Sequence, residues 1–571
     1  MKLKHLTLLM VMLVFFSSTK AASQWPVMAD QGMVVSAHHL ATKVGVNVLK
    51  QGGNAVDAAI ATAYALAVVY PAAGNLGGGG FMTVRMSSGE KSFLDFREKA
   101  PLTADQSMYL DSLGQVIKGK STKGHLAVAV PGTVAGLESA RIRFATKSRS
   151  QLINPAIKLA RSGFVLEGGD VEMLQLATDD FKQDEGLSKI FLHHGEPFKE
   201  GDRLIQSALG KTLERIKRNG SDGFYKGITA KEFVNASRNG GGIITAEDLN
   251  QYETRVLPPV ECDYRGYHLI SAPPPSSGGV ILCEMLKILE TYSLKSYGFN
   301  SAKTVHVMVE AMRHAYHDRN TLLGDPAFVD NPIDYLLSQK HIDDLRNQIQ
   351  DSMATPSISP NPITEWNEGL NTTHFSVVDR WGNAVSMTYT LNAWFGARVL
   401  AGKTGVILND EMDDFTIKLG EPNQFKLIQG KANQIQPGKR PLSSMTPTIV
   451  TKDGEVVMIL GTPGGSRIIT AVLQTMINVI DFDMNIQEAV DAPRFHHQWL
   501  PDQIFAENRS LSIDTSKLLQ GWGYHIVWSG QANHMAAIYI NTIKMEKSGL
   551  LFKRFSGAND SRKRTGLALG Y

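Results

Sequence analysis

The chain has 571 residues, 43% hydrophobic and 20% charged, with a formal net charge of +3. That length supports one large layered core or two to three ordinary domains, and the balance excludes a disordered or wholly membrane-embedded chain. So small a net charge gives no electrostatic footprint for nucleic acid.

Lys2, Lys4 and His5 precede an apolar run over residues 6–16, and small residues follow up to Ser23. A basic head, a short greasy centre and small residues mark a secretory signal over 1–23, cleaved near Ala21 or Ser23. The run is too short to remain as an integral membrane anchor, and no cysteine follows it for lipid attachment. The expected location is periplasmic or secreted.

From Ser36 the pattern reads as a helix over 41–51, a Gly52-Gly53 stop, Asn54 as N-cap and a buried helix to Val69, ended by Pro71. Residues 170–350 are mostly helical in pattern. Cys262 and Cys283 are the two cysteines; an oxidising compartment allows them to pair, and a buried free thiol suits Cys283 equally well. Residues 355–371 are rich in Pro and Asn without apolar period, the kind of exposed segment in which chains are cut. Two hairpins follow, over 372–391 with a turn at 380–383, and over 447–460 with a turn at Asp453-Gly454. The second ends in Gly464-Gly465 and enters a helix at Arg467. Strands thus concentrate in the last third and helices before it, and the halves can share one layered core. Lys544, Lys547, Lys553, Arg554, Arg562, Lys563 and Arg564 crowd the C-terminal tail, for which a solvated tail or edge strand is a simpler account than anionic-surface contact.

Thr372 taken alone is a strand threonine, but it stands where the Pro- and Asn-rich segment meets the strand, with Thr390 and Leu391 opposite. Were the Asn371–Thr372 bond cut, the new α-amine, of pKa about 7.7–8, would lie within reach of the Thr372 hydroxyl as a general base. Thr390 could orient that hydroxyl. Gly464-Gly465, between a strand and a helix, fits a tight turn needing positive φ, and also backbone N–H groups converging on an oxyanion. Gly77 to Gly80 lacks the Lys-Ser/Thr of a phosphate-binding loop and reads as close backbone packing. Glu411, Asp413 and Asp414 suit an ammonium group, while Arg97 with Ser443 and Ser444 suits a carboxylate; together they would grip an amino-acid head group. His306, Glu310, His314 and His317 share a helical stripe, but their apolar neighbours fit a buried helix rather than a metal site. No Gly-x-Ser-x-Gly elbow is present.

The stretches TTHFSVVD (372–379), RPLSSM (440–445), GTPGGSR (461–467) and APRFHH (492–497) resemble γ-glutamyltransferases, also called γ-glutamyl transpeptidases. So do GGNAVDAA (52–59), NLGGGGF (75–81), DFRE (95–98) and VPGT (130–133), in order along nearly the whole mature chain. The resemblance implies an α+β fold of the N-terminal-nucleophile hydrolase type, a four-layer αββα sandwich. It implies a precursor cut between Asn371 and Thr372 into a large subunit, 24–371, and a small subunit, 372–571, which share one core as a heterodimer. Thr372 would attack the γ-amide of glutathione or a related γ-glutamyl compound, with Thr390 in support and Gly464 and Gly465 as oxyanion hole. Arg97, Ser443 and Ser444 would hold the α-carboxylate; Asn392, Glu411 and Asp414 would hold the α-amine. The acyl group would pass to water or to an amino acid or dipeptide acceptor, with no metal or organic cofactor.

Three departures stand out. Glu411 replaces a frequent Gln, Phe425 replaces a lid residue that is often Tyr, and Ser561 replaces the Pro of an Asp-Pro-Arg. A β-lactam acylase of the same fold is the nearest alternative, though it would not need the ammonium-binding Asp414. An inactive exported amino-acid- or peptide-binding protein is a further one, and intact Thr372, Thr390 and Gly464-Gly465 speak against it.

Overall fold

The computed structural model describes residues 25–358, 371–530, 533–544 and 551–571. The expected leader over 1–23 lies outside the described residues, as does most of the expected cleavage segment, 359–370.

Local signals set the first helical layer. Helix α1, His39–Lys50, closes at Gln51, and Gly52 takes φ +78°, where a side chain would be strained. Asn54 caps α2, Ala55–Val69: its side chain accepts from Asp57 N at 2.9 Å, while Asp57 accepts from Asn54 N at 2.8 Å. Every residue of α2 is buried, as expected of a helix apolar all round at the centre of a large protein.

The strands of the two large sheets are β1 Val27–Ala29, β2 Met33–Ser36, β3 Gly79–Arg85, β4 Lys91–Phe96, β5 Arg255–Leu257, β6 Val260–Tyr264, β7 Tyr267–Ser271, β8 Asn371–Val378, β9 Ala384–Ala393, β10 Thr448–Lys452, β11 Glu455–Gly461, β12 Ala536–Lys544, β13 Leu551–Asn559 and β14 Leu567–Gly570. They form two seven-stranded sheets, in the orders β14-β2-β8-β9-β3-β4-β5 and β1-β13-β12-β11-β10-β7-β6. Alternation along β8 and β9 shows how the layers stack. Phe375, Val377, Val385, Met387, Tyr389 and Leu391 join α1 and α2 in one apolar core. Val378 and Ala384, on the other face, meet Ile449, Ile459 and Ile538 of the second sheet. Behind that sheet, Leu269, Val450, Met458 and Leu460 pack against three further helices, α3 Gly278–Leu289, α4 Ala302–Leu322 and α5 Ile468–Ile480. The result is a four-layer αββα sandwich of the α+β class. Between the sheets the contacts are partly polar: Thr83 donates to Pro447 O at 2.8 Å and Ser376 to Ala536 O at 2.9 Å.

Both expected hairpins form, with Asp453 and Gly454 at φ +53° and +81° in the second turn. The expected division into helices first and strands last is too simple. β1 to β7 all precede residue 372, and β8 pairs with β2 on one side and β9 on the other. Several early strands are three to five residues long, too short to show a period. Cys262 on β6 and Cys283 on α3 form a disulfide with Cα atoms 5.9 Å apart, tying a helix to an edge strand. The basic tail is woven into both sheets: Arg562 donates to Glu507 at 2.8 Å and to Asp560 at 3.0 Å, and Arg564 pairs with Glu172. Lys547 lies outside the described residues.

Gly77 to Gly80 act through close approach. A Cβ on Gly77 would meet Ile407 O at 2.1 Å, one on Gly78 Thr390 O at 1.9 Å, and one on Gly80 Thr388 O at 2.4 Å. Backbone atoms cannot yield as a side-chain tip does, so β3 reaches β9 only without side chains here. Gly78→Ala is therefore expected to destabilise the protein by about 3 kcal/mol, the cost of overpacking, read as a lower midpoint in denaturant unfolding.

Candidate active site

The β8–β9 ladder changes register between Asn371, opposite Ala393, and Thr373, opposite Tyr389. Thr372 sits at that irregularity with φ +67°, a left-handed conformation costly for a β-branched residue. Its Oγ1 lies 3.1 Å from Thr390 Oγ1, which also accepts from Asn392 N at 2.8 Å. The hydroxyl pair opens into a cavity whose walls include Arg97, Asn392, Glu411, Asp414, Phe425, Ser443, Ser444 and Gly465.

The turn that follows β11 lines the cavity together with Thr372. β11 runs out at Gly461, and Gly464 (φ +128°) and Gly465 (φ +53°) turn the chain into α5. Among the described residues, neither glycine's N–H donates to a protein acceptor. Amides ahead of a helix N-terminus can stabilise negative charge on an oxygen at the cavity edge. The positive-φ turn and the free amides are compatible readings of one Gly-Gly.

Arg97 lies at the far side, buried, at the end of β4. Its Nη2 donates to Asp414 Oδ2 at 2.5 Å, Nη1 pairs with Glu411, and Nε donates to Pro441 O at 3.2 Å. The two expected halves of a head-group site thus touch, cation to carboxylates, across more than 300 residues of sequence. Burial drives Glu411 well above the ordinary carboxylate range against the pull of Arg97. Burial likewise lifts the adjacent Glu98 to about 7, with Arg97 opposing. Asn392 donates its side-chain amide to Asp410 O at 3.1 Å. Phe425 closes one wall, and its ring has no hydroxyl with which to latch. Asp413 turns away from the cavity and accepts from Ser121 at 2.6 Å and Gln424 N at 2.9 Å.

A family model described as gamma-glutamyltranspeptidase matches residues 41–570. The chain belongs to that family. It is 60% identical over 552 residues to the glutathione hydrolase proenzyme of Pseudomonas sp. (strain A14), covering 96% of each chain. It is 46% identical over 549 residues to the glutathione hydrolase proenzyme of Escherichia coli (strain K12), covering 96% of this chain and 93% of that one. A cephalosporin acylase from Bacillus halodurans shares the fold with a TM-score of 0.83 at 25% identity, over 97% of this chain and 98% of that one. The N-terminal-nucleophile hydrolase architecture expected of a gamma-glutamyltranspeptidase is therefore present throughout.

Arg319, Asn423 and Gln429 also line this cavity, and sequence reasoning missed them. Arg319 lies in a helix where residues three and four apart share a face, but nothing in the periodicity says that its face meets a cavity. The His306 stripe is engaged elsewhere: His306 Nδ1 lies 2.7 Å from Tyr524 OH, and Glu310 accepts from the same hydroxyl at 2.7 Å. A different trio, Glu284, Asp318 and His341, comes together among the described residues, with His341 Nε2 2.7 Å from Asp318 Oδ2. Burial raises the Glu284 carboxyl to about 8, so a proton held there balances the trio's charge at neutral pH.

Glu98 gives a pH prediction. Its folded pKa, about 7, exceeds the ordinary 4.5. Its contribution to stability is therefore full below about 4.5 and is lost as pH rises through 7. Glu98→Gln should remove that loss: urea unfolding from pH 5 to 8 should show the variant gaining on the wild type, at up to about 1.4 kcal/mol per pH unit.

Proposed function

We propose that this chain is a self-processing γ-glutamyltransferase acting on glutathione and related γ-glutamyl compounds. The observation that carries the reading is one cavity joining a strained threonine hydroxyl to a buried cation with two carboxylates and two serines. Membership of the gamma-glutamyltranspeptidase family and relatives named glutathione hydrolase proenzyme support it.

In the precursor, Thr372 Oγ1 attacks the carbonyl carbon of Asn371. The C–N bond breaks to leave an ester on Oγ1 and a free α-amine on Thr372, and water hydrolyses the ester. The left-handed backbone at Thr372 favours this step by raising the energy of the uncut bond. Large and small subunits, 24–371 and 372–571, stay together because each contributes strands to both sheets.

In turnover, the γ-glutamyl donor places its α-ammonium against Glu411, Asp414 and Asn392, and its α-carboxylate against Arg97, Ser443 and Ser444. Thr372 Oγ1 attacks the γ-carbonyl carbon while its proton passes to the α-amine of the same residue. Thr390 holds the hydroxyl in line, and the N–H groups of Gly464 and Gly465 receive the oxyanion. Collapse breaks the amide bond, the leaving amine takes the proton, and a γ-glutamyl ester remains on Thr372. Water or an acceptor amine attacks that ester and restores the threonine. Phe425 acts as a lid over the bound head group. The sequence of residues 1–23 supports export to the periplasm or medium; among the described residues no helix is long and apolar enough to cross a membrane.

The cephalosporin acylase likeness makes hydrolytic removal of a glutaryl or similar side chain from a β-lactam the alternative, and Asp414 separates the two. Thr372→Ala should remain one chain on a denaturing gel while the wild type gives two, the smaller beginning at Thr372 by intact mass. Its γ-glutamyl turnover should fall roughly 10⁴-fold or more. A wild type that stays uncut on long incubation would sink the mechanism. Asp414→Asn should lower kcat/KM for a γ-glutamyl anilide roughly a hundredfold or more, as expected when one buried charge partner is removed. Activity near wild type would defeat the amine-site assignment.

A further inference from the structure

A second guanidinium reaches the cavity. Arg319, on α4, is fully buried and lines the same cavity as Arg97. The charge surroundings of the two differ. Arg97 is paired with Glu411 and Asp414, whereas among the described residues no carboxylate lies within 4.0 Å of Arg319. Neutral oxygens take its donors instead: Ser277 Oγ at 2.9 Å, Ser444 Oγ at 2.9 Å, Asn320 Oδ1 at 2.8 Å and Gln429 Oε1 at 3.2 Å. Burial pulls its pKa down to about 10, far from neutralising it. A buried cation without a counter-ion is costly, and an anion arriving in the cavity relieves that cost.

Bonds to Ser443 and Ser444 show where their hydroxyl protons do not point. Arg319 Nη2 donates to Ser444 Oγ, so that oxygen is an acceptor there and its own proton must go elsewhere. Ser443 Oγ likewise accepts from Met445 N at 3.1 Å. Ser277, which accepts from Arg319 Nε, donates onward to Ser443 O at 2.7 Å. Arg319 therefore clamps both serines, one directly and one through Ser277. Among the described residues, neither Ser443 nor Ser444 spends its hydroxyl proton on the protein.

We infer that Arg319 is a positioning residue and the counter-charge for the substrate's α-carboxylate, holding Ser443 and Ser444 with their protons directed at it. The inference rests on the γ-glutamyl reading and assigns the carboxylate end a second cation. Arg97, already paired with Glu411 and Asp414, joins the two ends of the head-group site. Arg319 supplies the uncompensated charge that makes a carboxylate, rather than a neutral group, the favoured occupant.

The test compares γ-glutamyl-p-nitroanilide with 4-aminobutyryl-p-nitroanilide, which lacks only the α-carboxylate, and pairs turnover with calorimetric binding of L-glutamate and 4-aminobutyrate. Arg319→Gln should lower kcat/KM for the γ-glutamyl donor roughly fiftyfold, as for a lost hydrogen bond to a charged group, mainly through KM. The 4-aminobutyryl donor should change less than about threefold, and Arg319→Lys should recover part of the preference. Equal losses on both donors, or an unchanged preference, would overturn the inference by giving Arg319 a merely structural role. Should Arg319→Gln fail to fold, Ser277→Ala should still lower the preference for the carboxylate, and an unchanged preference there counts against the clamp. A wild type that binds L-glutamate better than 4-aminobutyrate but turns over neither donor defeats the functional reading alone. A wild type that binds both equally defeats this inference.

Discussion

Everything at the site depends on the pairing of β8 with β9 in the middle of a sheet. β8 is held by β2 on one side and β9 on the other, and both faces of the pair are buried between other layers. Such a strand has little freedom, so an irregular register at its first residues concentrates strain instead of dissipating it. That irregularity is where Thr372 takes its left-handed backbone and meets Thr390. Gly78, just before β3, and Gly80 within it matter for the same reason, because they approach the carbonyls of Thr390 and Thr388 without side chains.

The electrostatics of the cavity follow from burial. Arg97, Glu98, Glu411 and Arg319 are all shut away from water, where a charge is tolerated only with a partner or a proton. Glu98 and Glu411 respond by holding protons more tightly, Arg97 by pairing with carboxylates, and Arg319 by spreading its donors over neutral oxygens. A zwitterionic head group suits such a cavity, since it brings one charge of each sign and adds no net charge to a dry interior. An acyl group without an α-ammonium would leave Glu411 and Asp414 without a new partner, which separates a γ-glutamyl site from an acylase site built on the same four layers.

The single disulfide and the C-terminal tail serve the frame. Cys262–Cys283 joins β6 at a sheet edge to α3, the helix that also carries Glu284. Arg494 and Arg562 meet Asp560 and Glu507 in a buried cluster, so part of the tail's basic excess is internal charge balance rather than a surface for anions.

Features that depend on neighbours along the chain are legible without the fold. Asn54 and Asp57 are three residues apart and cap α2 without help, and Asp453-Gly454 turns its hairpin. The alternation over 372–391 fixed two strands whose facing threonines were legible before any fold was known. Motifs along the whole chain likewise gave the family and singled out residues that line one cavity. Tertiary structure decided what depends on distance in sequence. Arg97 meets Glu411 and Asp414, which read separately as opposite ends of a site, and Asp413 turns away although it is Asp414's neighbour. Cys262 pairs with Cys283, which the sequence left open. Arg319 stayed invisible because a helical period records which residues share a face, while only packing decides what that face meets.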